Sequence, residues 1–144
     1  MISQPALQIM LTHRLAQVVD ELAATAFHAA DVEITPRQYV VLQAIRDFQQ
    51  SENAKPNQLR LTAVTKIDRS TLSDVVRRLA AAELVKRVRN RNDARAYLVG
   101  LTSKGRATLD RADRAASAVE ADIANRNGVV HEALARINAA MKAK

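Results

Sequence analysis

The chain has 144 residues, 48% of them hydrophobic, with a formal net charge of +7, 3% aromatic residues and no cysteine. That length and apolar content suit one compact domain with a substantial core, while the missing thiols exclude disulfides and thiolate zinc sites, and His13, His28 and His131 lack metal-ligand spacing. Few rings argue against base-stacking platforms for single strands, and the lack of about 18 consecutive apolar residues leads to the expectation of a cytoplasmic protein without membrane, metal or cofactor.

From about Gln4 to Ala30, Leu7, Leu11, Leu15, Val18, Leu22 and Ala26 recur at steps of four and three, as one face of a long helix requires. Ile9, Met10, Val19, Ala23 and Phe27 widen that surface and predict burial on more than one side. Thr35-Pro36 supplies an N-cap and a first helical residue for a second helix, with Val40, Val41, Ala44, Ile45 and Phe48 inward and an end near Gln49. Gln50 to Pro56 read as a loop. Asn57 caps a short helix carrying Leu61, Val64 and Ile67 that closes around Lys66. Asp68 caps the next, in which Leu72, Val75, Val76 and Leu79 follow the i, i+3, i+4, i+7 template. Two short helices joined by a tight turn describe a helix-turn-helix.

Beyond Glu83, Leu84 to Arg89 and Ala96 to Leu101 are short and rich in Val, Leu and Tyr, with the turn formers Asn90, Asn92 and Asp93 between them, so the pair reads as a hairpin. Thr102-Ser103 opens a long helix with Leu109, Ala112, Ala116, Val119 and Ile123 on one face. Asn127-Gly128 breaks the chain, and a last helix is expected to align Val130, Leu134, Ile137 and Met141.

Charge is concentrated on the middle of this order. Between Asn57 and Arg106 lie twelve Lys and Arg residues against four acidic ones, whereas the remainder holds ten basic and eleven acidic residues. One third of the chain is therefore suited to meet a polyanion. At about 100° per residue, the helix from Arg69 to Ala82 turns Ser70, Ser73, Asp74 and Arg77 away from its apolar face. Small outward side chains at its N-terminal end suit a major groove about 12 Å wide, with Ser and Thr near base edges or phosphates and Arg able to contact guanine. Free N–H groups of the first turn add a place for a phosphate. Taken alone, this face is equally a solvated one; the basic hairpin that follows favours nucleic acid. There Arg91 and Arg95 flank Asp93, suited to phosphates or to a minor groove about 6 Å wide. Asp93 is expected to accept hydrogen bonds from a neighbouring Arg side chain or from turn N–H groups.

The run Ile67-Asp68-Arg69-Ser70-Thr71-Leu72-Ser73, with Gln58, Leu61, Arg78-Leu79, Leu84-Val85, Arg89, Asp93-x-Arg95 and Leu101-Thr102-x-x-Gly105, resembles the MarR family of winged helix-turn-helix transcriptional regulators. Thr35-Pro36-Arg37-Gln38-x-x-Val41-Leu42 matches that family's second helix, so the resemblance covers nearly the whole chain. It implies a mainly α fold with a small β-hairpin wing and long N- and C-terminal dimerisation helices, 1–34 and 103–144, around a DNA-binding region, 35–102. It also implies a homodimer on a palindromic double-stranded operator, and usually repression relieved by a small molecule. Arg69, Ser70, Thr71, Ser73, Arg77, Arg78, Arg89, Arg91, Asp93 and Arg95 become the DNA-contact candidates, with Arg95 as the wing residue of the minor groove. Leu7, Leu11, Leu15, Val119, Val130, Leu134, Ile137 and Met141 become candidates for the dimer interface. Two departures bear on local geometry: Lys66 and Glu83 stand where the family commonly has Gly.

For an effector, His13 and Arg14 on the first helix and Tyr39 on the second are the candidates, since a buried Arg near a His could hold a carboxylate. No catalytic arrangement is present, so an enzyme is not expected. The same charge leaves two other readings open, a DNA-coating protein without operator choice and a winged helix that docks an acidic protein.

Overall fold

The computed structural model describes residues 3–93 and 95–126 and, beyond them, Glu132, Ala135, Arg136, Ala139 and Lys142, which are helical. Helix α1, Gln4–Ala29, starts at Ser3, whose hydroxyl accepts from the Ala6 N–H, with Pro5 in the first turn where no amide is needed. Helix α2, Pro36–Glu52, begins with a complete capping box: the Gln38 N–H donates to the Thr35 hydroxyl at 3.1 Å, and the Thr35 N–H to the Gln38 carbonyl oxygen at 2.9 Å. Asn57 caps α3, Gln58–Thr65, and Asp68 caps α4, Arg69–Ala81. Strands β1, Val85–Arg89, and β2, Tyr97–Leu101, pair antiparallel in the register Val85↔Leu101 to Arg89↔Tyr97. Helix α5, Ser103–Arg126, follows directly.

The core runs through Phe27, Leu42, Ile45, Leu61, Leu72, Leu79 and Leu109, with α2 at the centre touching α1, α3, α4, α5 and β2. No helix among the described residues is long and apolar enough to cross a membrane.

Several expectations shift. Helix α2 continues past Gln49 to Glu52, because Gln50, Ser51 and Glu52 are polar but not helix-breaking; the stop is Asn53 in the left-handed region at φ 47°, ahead of Pro56. Val40 and Val64, expected inward, are 44% and 59% exposed, each turned off the face that its neighbours Val41 and Leu61 bury. Leu84 precedes β1 instead of opening it, since its N–H is already engaged in ending α4, donating to the Leu79 carbonyl at 2.9 Å.

That helix end is a Schellman motif without glycine. Besides the Leu84 bond, the Glu83 N–H donates to the Ala80 carbonyl at 3.0 Å, Glu83 takes φ 61°, and Leu79 and Leu84 are both buried behind it. So Glu83 keeps the backbone that Gly ordinarily supplies, and Lys66 does the same at φ 58°. Helix α1 closes identically: Val32 N–H reaches the Phe27 carbonyl at 2.8 Å across Asp31 at φ 53°.

Of the residues expected to pair protomers, Leu7 and Leu11 are 44% and 60% exposed, and Leu15 and Val119 are partly covered. Val130, Leu134, Ile137 and Met141 lie outside the described residues, as does most of the expected last helix.

Candidate nucleic-acid interface

Three contacts hold the helix-turn-helix and wing as one unit. The Gln58 side-chain amide donates to the Arg69 carbonyl at 3.0 Å and to the Ser73 hydroxyl, which fixes the start of α3 against the first turns of α4. The Val99 N–H donates to the Pro56 carbonyl at 2.9 Å, and Asn57 forms an isolated bridge with Leu98, so the loop before α3 is tied to the outer edge of β2. At the far end of β2, Thr102 takes three tasks. Its N–H donates to the Leu84 carbonyl at 3.1 Å, its hydroxyl donates to the Glu83 carbonyl at 2.7 Å, and that hydroxyl accepts from the Gly105 N–H at 2.9 Å as the cap of α5.

Between α4 and the wing these ties leave a cleft of about 460 Å³, bordered by Gln58, Leu59, Arg69, Ser73, Arg87, Asp93, Arg95 and Tyr97. Three guanidinium-bearing residues and one carboxylate thus surround a single concavity. Asp93 acts at the wing as a turn former: its carboxylate accepts the Arg95 N–H at 3.0 Å, the second of the two partners considered from sequence. Asn90 does likewise for the Asn92 N–H. Arg89, Arg91 and Arg95 are exposed around that turn.

On α4, Arg69, Ser70, Ser73, Arg77 and Arg78 are exposed and Thr71 is half-buried. The cap is electrostatically committed: hydrogen bonds from Thr71, and then from the Ser70 hydroxyl at 2.8 Å, hold the Asp68 carboxyl down at about 2. Asp74 is lowered as well, first by the hydrogen bond from Arg77 and further by Arg78, whose Nε lies 2.8 Å away. One carboxylate therefore engages both Arg77 and Arg78, towards the C-terminal end of the helix, a pairing that the i, i+3 and i, i+4 spacing could have signalled.

The effector candidates are not gathered within the protomer. His13 and Arg14 are exposed on α1. Tyr39 packs its ring on Phe27 at 5.3 Å, thirteen and fourteen residues further along that helix, or about 20 Å away at 1.5 Å per residue. Its hydroxyl is already engaged, donating to Asp113 at 3.0 Å and accepting from Gln43 at 2.9 Å. Arg46 completes this cluster, reaching Asp113 at 2.6 Å, the Gln43 carbonyl oxygen at 2.7 Å and Asp110 at 3.5 Å. Burial, and then Asp113, push the Tyr39 phenol above its ordinary value; the same carboxylate raises Arg46. Sequence reasoning missed this joint between α2 and α5, although Tyr39, Gln43 and Arg46 stand at helical spacing on one flank of α2.

The sequence model of the family described as transcriptional regulator SarA/Rot matches residues 26–112. The HTH-type transcriptional repressor NicR of Pseudomonas putida is 38% identical over 82 residues, which make up 57% of this chain and 49% of that protein. The chain thus spans about half the length of the curated relative it matches. Among solved structures, a mutant of E. coli MarR complexed with operator DNA superposes with a TM-score of 0.76 at 25% identity, over 92% of this chain and 89% of that one. Bordetella bronchiseptica BpsR, described with the regulation of its DNA binding by 6-hydroxynicotinic acid, gives 0.76 at 26% identity over 92% and 91%. The order of helices, the hairpin beside α4 and these matches agree, and the chain belongs to the SarA/Rot family of transcriptional regulators, winged helix-turn-helix proteins of the MarR type.

Proposed function

We propose that this protein is a cytoplasmic, homodimeric repressor that binds a palindromic duplex operator and is released by a small aromatic carboxylate. The observation that carries the reading is the cleft in which Arg69 and Ser73 of α4 face Arg87 and Arg95 of the wing across one basic concavity. A duplex enters with α4 in the major groove: Ser70, Thr71 and Ser73 meet base edges or phosphates, and Arg69, Arg77 and Arg78 follow the backbone or a guanine. Arg89, Arg91 and Arg95 hold the wing on phosphates or in the minor groove, with Asp93 shaping the turn. Residues 1–34 and 103–144 supply the dimer around the DNA-binding region 35–102. Leu7, Met10 and Leu11, all between 44% and 60% exposed on one side of α1, support that assignment, because such a stripe on one helix is costly to leave in water.

Selection of bound genomic fragments by the purified protein, followed by competition against random duplex, tests the reading. A selected palindrome should win by at least about a thousandfold. Equal affinity for random duplex would leave a DNA-coating protein, and a monomer in sedimentation at micromolar concentration would remove the two-half-site geometry. The name under which BpsR is described makes 6-hydroxynicotinic acid the first effector to add.

A further inference from the structure

The Arg87 guanidinium lies over the Tyr97 ring, 4.8 Å from its centroid, and both border the cleft between α4 and the wing. The hairpin register produces this pair. Arg87 stands opposite Val99 and Arg89 opposite Tyr97, so Arg87 and Tyr97 are diagonal neighbours on the face that also carries buried Val85 and Val99. A guanidinium held over a ring face can keep N–H donors free for another partner, and both residues border the cleft.

Three other arginines of the basic region are held by carboxylates. Arg77 and Arg78 share Asp74, and Arg60 grips Glu52 with both contacts at 2.6 Å. Among the described residues, Arg87 has a ring as its neighbour and no carboxylate within ion-pair distance. Its strand is also tied to the helix-turn-helix. Strand β2 is bonded through Val99 to Pro56, Asn57 caps α3, and Gln58 holds Ser73 and the Arg69 carbonyl, so a short chain of contacts ties the Arg87 site to the first turns of α4. Arg91 and Arg95 sit at the turn, beyond this frame.

We infer that Arg87, held over the Tyr97 ring, is a DNA-phosphate contact at the border of the cleft between α4 and the wing, and that Tyr97 is its positioning residue. This rests on the DNA-binding reading above and adds to it a contact made from the middle of strand β1, with an aromatic residue of β2 to position it. The phosphate is that of the duplex lying between the recognition helix and the wing. Because a phosphate carries no sequence information, the contact strengthens cognate and random duplex alike.

The test uses the full chain and fluorescence anisotropy on a selected operator and on a random duplex, across a salt series from about 50 to 200 mM. Arg87→Ala should weaken both duplexes by the same factor and lower the slope of log affinity against log salt by about 0.9. Tyr97→Leu should weaken binding by about two- to fivefold, while Tyr97→Phe, which keeps the ring, should match the wild type. The double variant Arg87→Ala, Tyr97→Leu should bind no more weakly than Arg87→Ala, since the ring then has nothing to position. Thermal unfolding of each variant separates misfolding from lost contact, and Arg87→Gln is the substitute if the Ala variant fails to fold. An unchanged salt slope in the Arg87 variant, or a Tyr97 loss that adds in full to it, overturns the inference. A wild-type chain that binds neither duplex overturns the DNA-binding reading itself.

Discussion

Gly105 lies so close to the backbone of Leu84 that a Cβ built on it would stand 1.9 Å from the Leu84 carbonyl oxygen. That carbonyl also receives the Thr102 N–H, while the Thr102 hydroxyl donates to the adjacent Glu83 carbonyl, so neither the Leu84 carbonyl nor the start of α5 can retreat without releasing the joint between α4, β2 and α5. Gly105→Ala should therefore cost about 2–4 kcal/mol, from overpacking and loss of these bonds. Gly100→Ala is the control. Its Cβ would meet only the aliphatic chain of Lys55, at 2.9–3.2 Å, which can swing aside, so the change should stay within about 0.5 kcal/mol. Urea denaturation of both variants checks the contrast.

Glu83 and Lys66 hold left-handed backbone with a Cβ in place, at φ 61° and 58°. The conformation costs roughly 1–2 kcal/mol for an L-residue, and Gly in the same place forfeits part of that gain through the greater entropy of its unfolded chain. Glu83→Gly and Lys66→Gly should each stabilise the protein by about 0.5–1 kcal/mol, read as a higher denaturation midpoint. Loss of stability in both would mean that these side chains make compensating contacts.

The architecture was legible because the signals are local. Thr35-Pro36, Asn57, Asp68 and Thr102 each mark a helix start by side-chain capping, and the apolar spacing of α4 needs no tertiary information. What escaped the sequence depends on rotation and on pairing across elements. Val40 and Val64 look like core by composition, yet the one step of about 100° from Val41 turns Val40 outward, and Val64, three positions after buried Leu61, is exposed as well. Tyr39 reads as an effector candidate until Asp113, 74 positions away in sequence, is brought against its hydroxyl by the packing of α2 on α5. Arg87 was passed over for the wing-tip arginines, since only the strand register reveals that it shares a face with Tyr97.

Asp68 gives α4 a pH dependence. Its folded value of about 2 is depressed from the ordinary 3.8, so the stability it contributes is complete above the unfolded value and is lost as pH falls from about 4 towards 2. Asn accepts the same cap bond without titrating, so Asp68→Asn should melt near the wild type at pH 7 and lose less on acidification. Melting temperatures of both proteins at pH 5 and in steps down to about pH 2.5 provide the comparison. Parallel decline of the two curves would place the acid sensitivity elsewhere.

Asp113 joins α5 to α2 through Tyr39, Gln43 and Arg46 in a half-buried setting. Asp113→Ala leaves a phenol, an amide and a guanidinium without their shared acceptor, and should cost about 2–3 kcal/mol. Tyr39→Phe removes one hydrogen bond while keeping the ring against Phe27, and should cost about 1 kcal/mol. In combination the two losses should fall short of their sum, because Asp113 is common to both; chemical denaturation of the single and double variants measures the coupling.

Asp74 restrains the two arginines towards the C-terminal end of α4, and its own negative charge sits on the helix proposed to enter the groove. Asp74→Asn should release Arg77 and Arg78 to phosphates and remove a like-charge repulsion. Affinity for random duplex should then rise by about three- to tenfold, with a salt slope steeper by about one. The operator should gain less, since contacts there are already fixed by register, so the ratio of specific to non-specific binding falls. Anisotropy on both duplexes reads the two affinities. If Asp74→Asn weakens binding to both, then Asp74 holds Arg77 and Arg78 in the geometry that DNA requires and aids affinity, without guarding specificity.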